Sequence, residues 1–190
     1  LTSPDDQRLR WITGVYYIHT DRELRTRGFI DLDGTFGQID NPGLLLIDRQ
    51  EDNSNNAYAV FGQLDFDITD QLILSAGLRY DKDKREQTDI GTGNVRSNNF
   101  DAIQPKVSLN YRISEEQLVY ATYSTGFRSG GFNAPGVILD EFEDETLENF
   151  EVGFKTSWAN RRIILNGAAY LSNVDDFQFF FVEAATASQI

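Results

Sequence analysis

The run Tyr123-Ser124-Thr125-Gly126-Phe127-Arg128-Ser129-Gly130-Gly131-Phe132-Asn133-Ala134-Pro135 decides how the rest of the chain is read. It follows the alternating segment Leu118-Val119-Tyr120-Ala121-Thr122. A strand with one residue in two apolar thus runs into Gly126, Arg128, the pair Gly130-Gly131 and a proline. Paired glycines let the backbone leave strand geometry, and Pro135 has no N–H for a ladder, so the strand is expected to end near Ser129.

The segments on either side repeat one unit. Residues 118–128 place Val119, Ala121, Tyr123 and Phe127 on one face. Upstream, 103–112 sets Pro105, Val107, Leu109 and Tyr111 against Lys106, Ser108, Asn110 and Arg112, and Ser114-Glu115-Glu116-Gln117 turns it into the next strand. Downstream, 147–157 sets Phe150, Val152 and Phe154 against Asn149, Glu151, Gly153 and Lys155. Ala159-Asn160-Arg161 turns that run into 162–172, where Ile163, Leu165, Ala169 and Leu171 oppose Asn166, Ala168, Tyr170 and Ser172. Runs 57–68 and 71–81 form a hairpin around Thr69-Asp70, with Tyr58, Val60, Leu64 and Phe66, then Leu72, Leu74, Leu78 and Tyr80, as its apolar faces. Residues 9–20 read as a first strand with Trp11, Val15 and Tyr17 on one face. The period of two recurs throughout and no 3.6-residue period stands out, which predicts seven antiparallel strands and an unfinished segment from Asn173 onward.

The links alternate in length. Those after the second, fourth and sixth strands are tight turns, whereas 21–56, 82–101 and 129–146 are long, polar and rich in charge. In an up-and-down sheet this puts all tight turns at one rim and all long loops at the other, the arrangement of outer-membrane barrels. The polar face carries Gln63, Ser75, Gly77, Ser108 and Asn110, with Asp65, Arg79, Lys106, Glu151 and Lys155 among them. Small and amide residues with mixed charges suit a hydrated lumen. The apolar face places Trp11, Tyr17, Tyr58, Tyr80, Tyr111, Phe127 and Trp158 mainly near strand ends, as interfacial girdles do.

Composition narrows the function. Aromatic content of 13% within 40% hydrophobic residues provides material for a packed or lipid-facing surface. A net charge of −13 argues against nucleic acid, which demands a basic face. The chain has no cysteine, so disulfides, thiolate metal sites and thiol nucleophiles are excluded together. No apolar run approaches the roughly 20 residues of a spanning helix, but a barrel strand crosses with about 9–11 residues of which only alternate ones are apolar.

Thr125-Gly126-Phe127-Arg128-Ser129-Gly130-Gly131-Phe132-Asn133, followed by Glu145-Thr146-Leu147-Glu148-Asn149-Phe150-Glu151-Val152-Gly153-Phe154-Lys155, resembles the β-barrel of TonB-dependent outer-membrane receptors. The resemblance covers about residues 9–182. It implies an all-β fold: a partial transmembrane antiparallel up-and-down β-barrel, about seven strands of a 22-stranded wall. Seven strands left open would expose two edges and a large apolar face, so residues 1–190 are expected to be a fragment of the barrel domain, with the plug domain and C-terminal strands lying outside it. The implied function is barrel wall and extracellular loops of an active transporter in the outer membrane of a Gram-negative bacterium, for ferric siderophore uptake above all. Haem, cobalamin or an oligosaccharide are the other cargoes the resemblance allows. The implied partners are the TonB energy-coupling system, acting through the plug, and the lipid and lipopolysaccharide around the wall. A passive porin and a soluble β-sandwich for adhesion or carbohydrate binding are the rival readings. The sandwich requires the Leu74 and Phe154 sides to meet in a closed two-layer core.

Candidate chemistry is sparse, and neither catalysis nor a cofactor is expected. His19 is the only histidine, with no Cys to complete a zinc site and no Gly-x-Ser-x-Gly elbow for a hydrolase. Asp140-Glu141-Phe142-Glu143-Asp144-Glu145 supplies oxygens for an ion such as Ca²⁺ but lacks the glycine and amide spacing of a dedicated loop, and reads as a solvated acidic loop. The substrate-contact candidates are Arg79, Arg128, Glu151 and Lys155 on the polar face, each of which reads first as a lumen or inter-strand ion pair and only second as a ligand contact.

Overall fold

The structure, a computed structural model, describes residues 1–32, 34, 41–133, 139–179, 182–183 and 188–189. Ala134 and Pro135 of the opening run lie outside them. The core of the fold is one seven-stranded antiparallel sheet built from β1 (Leu9–Phe29), β2 (Leu45–Asp67), β3 (Leu72–Asp89), β4 (Val95–Ser114), β5 (Gln117–Arg128), β8 (Glu145–Trp158) and β9 (Ile163–Asp175), paired in that order. Two short ladders accompany it, β6 (Gly131–Phe132) with β7 (Glu141–Phe142) and β10 (Val182–Glu183) with β11 (Ser188–Gln189). A single 3₁₀ turn (Pro42–Leu44) leads into β2, capped by the Asn41 side chain.

Register converts the alternating sequence into two unlike surfaces. Leu9, Phe66, Leu74, Leu109, Ala121, Val152 and Ala169 stand opposite one another in a row that crosses all seven strands. The next row on that face is Trp11, Leu64, Ala76, Val107, Tyr123, Phe150 and Leu171. Between them, on the opposite face, runs Arg10, Asp65, Ser75, Ser108, Thr122, Glu151 and Tyr170. One side of the wall is therefore dry and the other wet, because side chains alternate across a strand and the ladder keeps equivalents in line.

Among the described residues there is no second layer. Leu74 and Phe154 lie on the same apolar face, and the described buried hydrophobics are only Ala59, Ile73 and Phe100, all on the wet face. Val60, Leu109 and Phe150 are left 51%, 43% and 52% exposed on the dry face, which in water would be a large aggregation-prone patch. The sandwich reading falls on this geometry. The dry belt runs from Leu9 to Tyr17 on β1 but from Phe150 to Trp158 on β8, slipping by roughly one residue per strand. With a rise of about 3.3 Å per residue and about 4.8 Å between strands, that slope tilts the strands by about 35°, as a closed barrel requires.

The turns after β2, β4 and β8 share one rim, as the sequence predicts, but at the other rim the link after β3 is only residues 90–94 rather than a long loop. Thr69 Oγ1 accepts from the Leu72 amide at 3.0 Å in the first tight turn, and Ala159, Asn160 and Arg161 occupy the left-handed region in the third. At the far rim the expected loops 21–56 and 82–101 are largely strand. β1 and β2 stay laddered as far as Phe29 and Leu45, and β3 and β4 as far as Thr88 and Val95. The reason is that both faces are wet beyond the dry belt. Cross-strand polar pairs such as Arg25 with Asp48 (2.6 Å) then hold the ladder without apolar alternation.

Candidate functional site

On the wet face, ion pairs and amides line the wall in layers. Arg10 makes two 2.6 Å bonds to Asp67, and Arg79 two 2.6 Å bonds to Asp81, which also accepts from Gln104 at 2.6 Å. The Arg79 guanidinium lies 5.8 Å from the Tyr16 ring centroid. Lower on the wall, Tyr120 donates to Glu151 at 2.6 Å while Lys155 sits 5.9 Å from the Tyr120 ring centroid. Arg128 stands at the long-link rim, 3.9 Å from Glu145. The four candidates are thus spread over three places: Glu151 and Lys155 share a neighbour, while Arg79 and Arg128 each have their own acid.

Two residues outside the candidate set organise the rim. Arg96, on the wet face of β4, donates to the Asn133 carbonyl (2.8 Å), the Asp140 carbonyl (3.1 Å) and Gln87 Oε1, and lies 5.3 Å from the Phe132 ring centroid. Asn133 closes the same stem, its amide donating to the Asp140 carbonyl at 2.9 Å and its side chain to the Leu139 carbonyl at 3.0 Å. Gln87 in turn donates to Glu51, which is 3% exposed and ion-paired with Arg49. Gln178 ties the second stem, its backbone donating to Glu145 and its side chain to the carbonyls of Ser129 and Glu143. Nothing in the sequence marked Arg96 or Gln178, since one lies in a run expected to be loop and the other in the unfinished segment. Gly130 was marked, and the reason is spatial: a Cβ there would collide with Phe100 and the Phe142 carbonyl.

These stems border an open pocket of about 640 Å³ at the rim. Phe132, Phe142, Phe177 and Phe179 give it aromatic walls, and Arg128, Glu141, Glu143 and Asp176 give it charge. Phe177 and Phe179 are 64% and 65% exposed. Among the described residues no three acidic or histidine side chains are grouped to hold a metal ion, the 140–145 run included. His19 bonds Asp21 (2.9 Å) and Asn56 (3.0 Å) on the outside of β1, beyond the dry belt. The hydrogen bond to Asp21, then that to Asn56, raises its pKa above the ordinary value.

A tilted, one-layer, dry-outside wall with a structured rim is the geometry of a transmembrane barrel, and family comparison agrees. Residues 3–189 match the family described as TonB dependent receptor-like, beta-barrel. The chain belongs to that family, so it is an outer-membrane β-barrel wall of a Gram-negative bacterium. The pesticin receptor of Yersinia enterocolitica is 23% identical over 131 residues, covering 64% of this chain and 19% of that protein. A probable TonB-dependent siderophore receptor, PiuA of Acinetobacter baumannii, is 26% identical over 116 residues, covering 55% and 16%. The crystal structure of the ferric yersiniabactin uptake receptor FyuA from Yersinia pestis superposes with a TM-score of 0.74 at 21% identity, covering 93% of this chain and 27% of that one. The chain spans about a fifth of the curated relatives' length.

Proposed function

We propose that the chain supplies part of the wall and mouth of an active transporter that imports ferric siderophores, with TonB coupling acting through a plug elsewhere in the full-length protein. The observation that carries this is the pairing of a lipid-facing wall with a rim that bears a pinned, aromatic pocket rather than a bare pore lining. A passive channel needs no such pocket. The names of the pesticin, PiuA and FyuA proteins point to receptors, one for a siderophore and one for ferric yersiniabactin uptake, and support the same reading. The rim segments 21–56, 82–101 and 129–146 would meet the cargo, and the ion-paired lumen residues would give the plug a hydrated wall to slide against. No chemical step is required of these side chains.

The test is uptake of radiolabelled ferric siderophores by cells carrying or lacking the full-length gene, with and without TonB. Accumulation that needs both supports the reading. Uptake that persists without TonB, or a receptor that conducts small ions freely in planar bilayers, overturns it.

A further inference from the structure

The cavity at the rim is lined asymmetrically in charge. Among its described lining residues the one cation, Arg128, is 3.9 Å from Glu145, so the nearest carboxylate already offsets it. Arg96, behind the Phe132 ring (5.3 Å), is engaged by the Asn133 and Asp140 carbonyls. Glu141 receives only an amide hydrogen bond, from Asn98 at 2.7 Å. No ion pair to the Glu143 or Asp176 carboxylate is found among the described residues, whereas Asp67, Asp81 and Asp83 on the wall are each paired with an Arg. These carboxylates face the same space as four phenylalanine rings. Ring faces carry negative electrostatic potential and attract cations, so rings and carboxylates act in one direction. The rest of the chain does not counter them, since its net charge is −13.

We infer that this cavity selects cargo bearing positive charge on an organic shell. The inference rests on the reading of the chain as the mouth of a ferric-complex receptor and specifies which complexes it takes. A bare hydrated cation does not fit, because the carboxylates are not grouped to ligate one and the walls are aromatic. Charge carried on a ring-sized or chain-like organic shell satisfies both features. Among ferric complexes the chemistry then separates two classes. Three singly charged hydroxamate donors neutralise Fe³⁺, and a protonated amine on the chain leaves the complex positive. Three dianionic catecholate donors leave it strongly negative, and such a complex would meet like charge at Glu141, Glu143 and Asp176.

The experiment uses the full-length receptor in lipid nanodiscs and one linear ferric trihydroxamate in three forms: free terminal amine, N-acetylated and N-succinylated. Size changes little along the series while charge falls from positive through neutral to negative. The amine form is expected to bind at least about tenfold more tightly than the succinyl form, with the difference shrinking as salt rises. The double variant Glu143→Gln with Asp176→Asn should bring the three forms to within about threefold. Asn tolerates the left-handed backbone at position 176 (φ 54°), and unaltered heat-modifiable mobility on a gel verifies that the variant is folded. Equal binding of all three forms, preference for the succinyl form, or discrimination that survives the double variant overturns the inference. Tetraphenylphosphonium and tetraphenylborate, equal in size and opposite in charge, separate this from failure of the receptor reading. If no ferric complex binds but the phosphonium is retained over the borate in a Glu143- and Asp176-dependent way, charge selection stands and the ferric cargo falls. If neither ion pair nor ferric series is discriminated, charge selection falls.

Discussion

Tyr120 lies flat across Gly153, its directly opposed partner on the next strand: a Cβ on Gly153 would fall 2.6 Å from the ring Cζ and hydroxyl oxygen. The ring fills the space a side chain would take, and its hydroxyl then reaches Glu151 one step along the same face. The same device recurs where Phe61 covers Gly14 and, on the dry side, where Phe154 covers Gly167. Each pins register by shape, a role aromatic cover of strand glycines is known to play.

The glycines differ in what would have to move. At Gly14 the obstacle is the far end of the Phe61 ring, whereas at Gly153 the Gly167 carbonyl also lies 2.8 Å away. Gly14→Ala is therefore expected to cost about 1 kcal/mol and to be restored by adding Phe61→Leu, while Gly153→Ala should cost up to about 3 kcal/mol and be restored only in part by Tyr120→Leu. Urea unfolding of the full-length barrel in detergent measures both. Full rescue at Gly153 would show that the carbonyl is not the obstacle.

Neighbouring residues on opposite faces should respond oppositely to charge. Leu109 stands in the dry row and Asn110 faces the lumen. Leu109→Lys is expected to destabilise by about 2–4 kcal/mol in lipid vesicles, and Asn110→Lys by well under about 1 kcal/mol. Similar losses at the two positions would contradict the lipid-facing assignment.

Arg96, a β4 wall residue, should govern the rim loop far more than the rest of the sheet. Replacing it with Met removes its bonds to Asn133, Asp140 and Gln87, and hydrogen bonds from a charged group contribute about 1.5–3 kcal/mol each when buried. Amide exchange at Asn133 and around Glu141–Phe142 is expected to accelerate at least about tenfold, with β8–β9 protection unchanged. Uniform acceleration would mean that Arg96 holds the whole sheet.

The ladder beyond the dry belt should be pH-dependent through His19. Its folded pKa is raised by Asp21 and Asn56, so its contribution is complete below the ordinary value of about 6.5 and is lost as pH rises through the raised value. Asp21, held low by Ser54 and His19, loses its contribution only in acid. Amide exchange in 18–22 and 53–57, corrected for intrinsic base catalysis, should therefore be faster at pH 8 than at pH 6. His19→Gln should flatten the difference; an unchanged profile in that variant would remove His19 from the account.

What could be read from the sequence followed the solvent. Where one face is lipid and the other water, Leu72 to Tyr80 and Val107 to Tyr111 alternate, and strand, face and turn are legible. Where both faces are water, as from Thr20 to Arg27 and from Asp48 to Asn56, pairing leaves no hydropathy trace and strand was taken for loop. The rim cavity was legible only as a glycine-rich, acidic run. Its walls come from the end of β5, the β6 and β7 ladder and the segment after β9, and the closure through Arg96, Asn133 and Gln178 depends on distances that no local pattern encodes.

The long ladder of β1 and β2 makes the mouth lopsided. On that side hydrogen-bonded backbone rises to Phe29 and Leu45 as a fixed parapet, while β5 ends at Arg128 and the chain bends over the opening. A solute crossing this stretch of rim meets a stiff bulwark at β1 and β2 and a low doorstep at β5. The approach to the lumen is consequently directional before any binding contact is made.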